Sequence, residues 1–401
     1  MANSRYAAVF GRNPALSIAE LSAVGAAHGF SVAPLGTYAA ALDGFDLALA
    51  DRFGAVTKVV ELLGTAASTN AALEQLADSV PEMPTGKLIF GISSYGSPSS
   101  TELTNKMREL LSRRGVKHRY MAKRLGKSGR PSDGELSAVQ VKHNKLLTKG
   151  HDWCLFQAAD GWHYGRTVWV YDFEGFGRRD YDKPRSDSRR GMLPPQLART
   201  MVNLATGGDS AQSVCDPFCG SGNLLLESVA LGHRTVGSDL DEAAVADSRQ
   251  NLEWLGGPGE WDVTAADATA ELPGDPVDAI ATEGYLGQLV NPSTTDQTIE
   301  VEATQVEALQ QKFFRQAAKV LRPGRRLVIT WPIWRLRDGG ERAAQRQLAP
   351  SLIDQVKSLG YTVVRPVSPA FRPTELTKRN SIAVSRPAQR VIHELFIFER
   401  T

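Results

Sequence analysis

The sequence predicts an α/β protein in which a mostly parallel, doubly wound sheet fills the C-terminal half, behind a smaller α+β region. Three observations carry this. From Leu193 onward, strand-like runs alternate regularly with helix-like runs of about 10–15 residues. Before that point short strands and helices are mixed irregularly, as in a small α+β unit. Between the two, "EGFGRRDYDKPRSDSRRGMLPP" (174–195) is Gly, Pro, Asp and Arg with almost no apolar periodicity. It reads as a linker, or as a loop that folds over a site. The expected division is therefore 1–175, a linker at 176–192, and 193–401.

In the first part, RYAAVFG reads as a strand. Asn13-Pro14 breaks the chain, and a helix is expected from Ser17 through SIAELSAVGAAHG, closing on Gly29. KLIFGISSYG (87–96) is a strand. The helix TELTNKMRELLSRRG follows, with Thr101 as the expected cap and Gly115 ending it. WCLFQAAD and WHYGRTVWVYDF (153–173) form a hairpin across Asp160-Gly161, a strong turn signal.

The second part opens with the helix LPPQLARTMVNLA. Strand SVCDPF, helix GNLLLESVALG, strand RTVGSDL and helix DEAAVADSRQNLEWLG follow. Then come strands WDVTAAD and VDAIAT, a long helix around Thr304–Leu321, and strand RRLVITWP. Helix APSLIDQVKSLG, strand YTVVRPV and a closing strand VIHELFIFER complete the pattern.

Composition narrows the function. At 401 residues two or three folded units are expected. No apolar run approaches the ~20 residues that span a bilayer, and MANSRYAAVF lacks a secretory signal. Cys154, Cys215 and Cys219 are too few for a disulfide framework, and without clustered His they make no zinc site. A cytoplasmic protein with no metal is expected. Between Lys106 and Lys149 thirteen Lys and Arg face three acidic residues, a net of +10. Since the whole chain carries +2, the remainder carries −8. A patch of this density, containing Tyr120 and two histidines, is suited to neutralising phosphates, so 106–149 points to nucleic acid.

The chemistry lies at the strand ends, where open α/β sheets bind ligands. The first strand ends in "DPFCGSGNLLLES" (Asp216 to Ser228). There Gly220 and Gly222 allow a tight turn and close backbone approach, and the following helix offers free N–H groups. The next strand ends at Asp239 in "GSDLD", placed to accept hydrogen bonds from two ribose hydroxyls. Asp241 either assists there or caps the helix DEAAV. The third ends at Asp267 in "AADAT", an acceptor for an adenine amino group.

Those motifs resemble the first motifs of Rossmann-like class I S-adenosylmethionine-dependent methyltransferases. DPFCGSGNLLLES is similar to the tRNA (guanine-N2-)-methyltransferases, which methylate the base's exocyclic amine and carry an N-terminal THUMP-type RNA-binding region. "YAAVFGRNPALSIAEL" (6–21) resembles the opening of those proteins. "RRGMLPPQLARTMVNLA" (189–205) resembles the helix that closes over the methionine end of their cofactor. The resemblance implies S-adenosyl-L-methionine as cofactor. It also implies that Asp216, Phe218, Gly220, Gly222 and Pro194 bind the cofactor, with Asp239 on its ribose and Asp267 on its adenine.

The fourth strand runs into "DAIATEGYLG" (278–287), where the family carries Asp or Asn, two prolines and an aromatic. Here Thr282 holds the carboxylate or amide position, Glu283 and Gly284 replace the prolines, and Tyr285 keeps the aromatic. An amine substrate needs acceptors for its hydrogens, a route for a proton, and a stacking surface for a flipped base. Glu283, Tyr285 and Thr282 are therefore the candidate catalytic residues. Three readings stay open: Glu283 accepts the amine proton while Tyr285 stacks, the site serves a different nucleophile, or the protein binds cofactor and RNA without catalysis. A DNA methyltransferase on the same fold is a further alternative. Trp331 or Trp334 is expected either to wall the base pocket or to pack in the core. Arg178, Arg179, Arg185, Arg189 and Arg190 of the linker are candidates for RNA phosphates. The sequence leaves a small protein partner open.

Overall fold

The computed structural model describes residues 5–80, 86–96, 99–121, 135–186, 192–209, 211–272, 275–291, 293–337, 344–371, 374–385 and 389–401. The first half contains β1 (Tyr6–Phe10), α1 (Pro14–His28), β2 (Ser31–Leu35), β3 (Ala39–Asp43) and β4 (Val56–Ala66). Next come α2 (Thr69–Asp78), β5 (Leu88–Tyr95), α3 (Ser100–Arg113) and β6 (His118–Tyr120). The series ends with α4 (Ala138–His143), β7 (Gly150–Ala158) and β8 (Gly161–Val170). These strands form a sheet of order β2-β3-β1-β4-β8-β7-β5-β6. The β7–β8 hairpin turns where Asp160-Gly161 predicts it, with Ala158 paired to Gly161.

Two boundaries differ from expectation. Helix α1 starts at Pro14, three residues before Ser17, because the Asn13 side chain accepts from Leu16 N and proline suits a first helical position. Helix α3 is capped by Ser99 rather than Thr101, its hydroxyl accepting from Glu102 N.

The connecting segment is described through residue 186. It forms α5 (Phe173–Gly177) and a single π-type turn over Arg178–Asp182. The second half contains α6 (Pro195–Thr206), β9 (Ser213–Asp216), α7 (Asn223–Ala230), β10 (Arg234–Asp239), α8 (Glu242–Leu255), β11 (Trp261–Ala265) and β12 (Val277–Thr282). It continues with α9 (Asp296–Val320), β13 (Leu321–Arg335), β14 (Gln345–Gln347), α10 (Pro350–Ser358), β15 (Tyr361–Val363), β16 (Ile382–Val384) and β17 (Val391–Arg400). Helix α9 begins eight residues earlier than expected, capped by Thr295. The sheet order is β11-β10-β9-β12-β13-β17-β15, with β14 and β16 pairing off that path. Strands β9 to β13 are parallel, and β17 enters antiparallel between β13 and β15. The chain order reverses between β9 and β12, which is where such a sheet opens a ligand crevice. Among the described residues no helix is long and apolar enough to cross a membrane.

The two sheets share one core through α6. Eleven of its twelve residues are buried, and its Leu197, Met201 and Leu204 pack with Leu16 and Leu21 of α1 and with Val328 and Ile397 of the second sheet. Gly54 of the first half crosses so close that a Cβ there would lie 2.3 Å from Gln196 O, so only glycine fits. The polar residues of α6 are bonded across the junction. Asn203 Nδ2 donates to Glu20 Oε1 (2.8 Å), and that fully buried carboxylate also accepts from Gly54 N and Ala55 N. Arg199 Nε donates to Glu227 Oε2 (2.7 Å), while its Nη1 donates to Asp51 O (2.8 Å). Glu227 is wholly buried and takes a second guanidinium from Arg179 (2.5 Å). The rings of Phe176 lie under both arginines at 4.9 Å.

This corrects the linker reading for Arg179, whose charge is spent inside the fold. Arg178 lies over Trp254, and Arg185 pairs with Asp247 and donates to Gln250. Arg189 and Arg190 lie outside the described residues.

Removing one member of a buried ion cluster strands the others without partners. Glu227→Ala is expected to cost roughly 3–5 kcal/mol, read as a lower denaturant midpoint. Because the cluster and the α6 core tie both halves, fluorescence and circular dichroism should report one unfolding transition. Two separated transitions would contradict the shared core.

Candidate active site

A cavity of about 340 Å³ opens at the carboxyl ends of β9, β10 and β12, beside the reversal in strand order. Asp216, Gly220, Asn223, Asp241, Asp247 and Glu283 line it, and Met192 and Leu193 close one side from just before α6. The turn after β9 is built by its own backbone. Phe218 N donates to Asp216 Oδ1 (3.2 Å), Gly220 N to Asp239 Oδ2 (2.9 Å), and Gly222 N to Cys219 O (2.8 Å). Gly220 and Gly222 are left-handed (φ +52° and +86°), and a Cβ on Gly222 would meet Ser248 Oγ at 2.4 Å. Helix α7 starts there with no side-chain cap, so its first N–H groups face the cavity around Asn223 and Leu224. Asn223 is held by the buried Lys183 ammonium and by its own donation to Leu193 O (2.9 Å).

Two carboxyls in this cavity are far from their ordinary values. Burial pushes Asp216 up to about 7, against the Thr282 hydroxyl and Phe218 N–H that stabilise its charge. Burial, then the neighbouring charge of Asp216, pushes Glu283 up to about 8.

The substrate-loop residues separate. Thr282 is fully buried, and its hydroxyl bonds the Asp216 carboxylate and accepts from Gly284 N (3.2 Å). It braces the cavity floor, which corrects its reading as a substrate-facing group. Glu283 turns inward and lines the cavity. Its carbonyl accepts from Thr330 Oγ1 (2.6 Å), and Gly284 then reverses the chain at φ +71°, a conformation two prolines would forbid. Tyr285 does not line the cavity. Its hydroxyl donates to Glu302 Oε1 of α9 (3.1 Å), which also accepts from Gln288 N, and its ring is 36% exposed.

Other expectations shift. Asp239 uses both oxygens on backbone, on Gly220 N and Asp241 N, though a carboxylate keeps further lone pairs for hydroxyls. Asp241 caps α8 by accepting from Ala243 N and also lines the cavity. Asp267 is exposed, bonds Thr269 N and its hydroxyl, and does not line the cavity. Pro194 lines a different space, a cleft of about 1260 Å³ between the halves, while the adjacent Met192 and Leu193 line the cavity. Trp331 and Trp334 are both fully buried in the core, so neither walls a pocket.

Sequence reasoning missed Asn223, Asp247 and, above all, His393 of β17, whose Nδ1 lies 3.4 Å from Glu283 Oε1. It also missed a row of lysines. Lys87, Lys117 and Lys149 immediately precede β5, β6 and β7, three adjacent parallel strands; Lys87 is level with Lys117 and Lys149 is one position further along, so all three lie at one sheet end. All three are exposed, and among the described residues none has an ion-pair partner. Much of the remaining positive charge of 106–149 is paired locally: Lys106 with Glu102, Arg113 with Glu109, Arg114 with Asp78, and Lys142 with Glu174. Lys123, Arg124, Lys127 and Arg130 lie outside the described residues.

Residues 182–333 match the family model described as an RMKL-like methyltransferase domain. The tRNA (guanine(10)-N2)-dimethyltransferase of Methanothermobacter thermautotrophicus is 37% identical over 110 residues, 27% of this chain and 32% of that one. The enzyme of the same name from Pyrococcus abyssi is 34% identical over 131 residues, 31% of this chain and 39% of that one. The matches thus span little more than a third of those relatives' length. The crystal structure of TrmN from Thermus thermophilus is similar over 99% of both chains, with a TM-score of 0.56 and 19% identity, a likeness of fold. Residues 182–333 thus match a methyltransferase domain, and the cofactor that such a domain implies is S-adenosyl-L-methionine.

The cavity suits that cofactor. Its acidic lining matches a sulfonium and an ammonium, and the uncapped start of α7 matches a carboxylate. Asp239→Ala, which removes the anchor of Gly220, is expected to weaken binding of S-adenosyl-L-homocysteine about tenfold or more by calorimetry. Asp267→Ala should change that affinity far less.

Proposed function

We propose that this protein methylates the exocyclic amine of a guanosine in tRNA, with Glu283 as the group that takes the amine's proton. The observation that carries the reading is the Glu283 carboxylate facing the cofactor cavity, one position beyond the strand-end Thr282. The names of the curated relatives, which act on guanine N2 of tRNA, support the substrate.

Bound at the cavity, the cofactor supplies a methyl group already activated by its sulfonium. The chain's own task is to present the nucleophile and remove a proton. A guanine amine is weakly nucleophilic because its lone pair is shared with the ring, and an acceptor on its N–H returns electron density to nitrogen. Glu283 provides that acceptor from a fixed backbone, held by Thr330 and by the Gly284 turn. Its elevated titration makes it a stronger base than an ordinary carboxylate once ionised. Thr282 and Asp216 hold the floor beneath it. Tyr285, braced on Glu302, stands at the mouth as a surface for a flipped base.

Delivery of the RNA falls to the first half, residues 1–175, and to the 176–192 linker, whose Arg179, Lys183 and Arg185 bond to α7 and α8. The lysine row at Lys87, Lys117 and Lys149 supports this, as does Arg108 stacked on the exposed Tyr120 at the sheet edge. Such a row engages phosphates without reading sequence.

Labelled methyl should pass from the cofactor into unmodified tRNA and appear as N2-methylated guanosine after nuclease digestion. Glu283→Gln should lower kcat by about 100-fold or more. Label in duplex DNA instead would redirect the substrate, and no label with the wild type would favour a binding-only protein. Since only ionised Glu283 accepts a proton, kcat should rise with pH and level off above about 8. Changing Lys87, Lys117 and Lys149 together to Glu should weaken tRNA binding and flatten the log K against log salt slope by about 2–3.

A further inference from the structure

We propose that His393 is the positioning and proton-relay partner of Glu283, receiving at Nδ1 the proton that Glu283 takes from the substrate. The proposal rests on the methyl-transfer reading above and extends it to a residue of the final strand.

Geometry carries it. Nδ1 of His393 lies 3.4 Å from Glu283 Oε1, and the two side chains are 15% and 24% exposed. Strand alternation explains the meeting. Glu283 has the parity of Ala279 and Ala281 on β12, and His393 has the parity of Leu395 and Ile397 on β17; all four of those apolar residues belong to the core shared with α6. Moving the acceptor from position 282 to 283 carries it to the face on which His393 stands. The neighbouring Glu394 points the other way, fully buried and bonded to Arg379, Thr377 and Ser381. Arg379 is therefore committed elsewhere. From β9 the charge facing Glu283 is Asp216, and Asp241 and Asp247 line the same cavity from β10 and α8. Among the described residues His393 is the basic side chain within ion-pair distance of Glu283.

The proton balance needs this partner. An amine N–H bond breaks as its proton joins a Glu283 oxygen, and the electron pair stays on nitrogen. The enclosed carboxyl, beside Asp216, holds that proton at neutral pH and would block the next turnover. Transfer from Oε1 to Nδ1 restores the carboxylate and makes an imidazolium, with no redox change. The imidazolium then opposes the charge of Asp216 until the proton leaves to solvent. His393 faces Val384 across the β16–β17 pair, and Val384 lines the cleft between the halves, which gives that exit.

The test uses the full chain with tRNA. H393A should lower kcat at pH 7 by about tenfold or more while leaving KM for tRNA and affinity for S-adenosyl-L-homocysteine nearly unchanged. Its rising pH limb should move to higher pH, because Glu283 then faces Asp216 without a cation. H393N should preserve the melting temperature without restoring the limb, and added imidazole should partly restore H393A. Independently of activity, the NMR titration of the His393 ring should shift in E283Q. An active wild type whose pH limb is unaltered in H393A, with a His393 ring indifferent to E283Q, overturns the relay alone. A wild type that methylates no RNA overturns the methyl-transfer reading and the relay together.

Discussion

The structure depends on a charge buried where three segments meet. Glu227 on α7 has no exposure, and it is tolerable only because Arg199 of α6 and Arg179 of the connecting segment both reach it. An isolated carboxylate in that position would cost several kcal/mol, so neither arginine is free to move without a penalty. The consequence spreads in two directions. Arg199 also holds Asp51 O, which locks the first half to α6. Arg179 pins the segment that carries Lys183 to the start of α7, and with it Asn223 at the cavity wall. The cofactor site is thus shaped by residues whose charges never reach the cofactor.

The loop after β12 shows how a one-residue displacement changes a side chain's surroundings. At position 282 a side chain looks toward Asp216, where a threonine hydroxyl stabilises the strand-end carboxylate. At 283 a side chain lines the cavity and also reaches His393 of β17. Gly284 makes this workable, since its left-handed backbone lets the chain turn directly after Glu283 and tuck against Ile329. The cost falls on two enclosed carboxyls: burial and then Asp239 raise the proton affinity of Asp216, and burial and then Asp216 raise that of Glu283. Enclosure and like charge thus convert two ordinary carboxyls into groups that titrate near neutrality.

Much of the fold was legible because it is written locally. Strand and helix periods, the Asp160-Gly161 turn and the glycines of DPFCGSG each state their own geometry. The residues that escaped are those whose meaning comes from a distant partner. Arg199 and Asn203 carry no local signal of burial, yet they are buried against Glu227 and Glu20 from other parts of the chain. Arg179 reads as a solvated linker charge until Glu227, 48 residues on, is brought to it. The alternation of side chains along β12 held the direction of Glu283, but that it would have a histidine to face came from sheet order, which puts β17 beside β13. Lys87 lay outside the charge-rich run and joined it only through strand register. Lys106 and Arg113 of the basic run are paired with helix neighbours, which a charge count along the chain does not show.

A helix shared by two sheets also sets an order of events during synthesis. The first sheet and α1 are complete by about residue 170, yet the face that receives α6 stays open until residues 195–206 leave the ribosome. The nascent first half therefore carries an apolar scar, Leu16, Leu21 and Val24 among it, which nothing earlier in the chain can cover. Burial of the first half's open face waits for the second half to begin. A chain cut between them would yield two sticky fragments rather than two working modules.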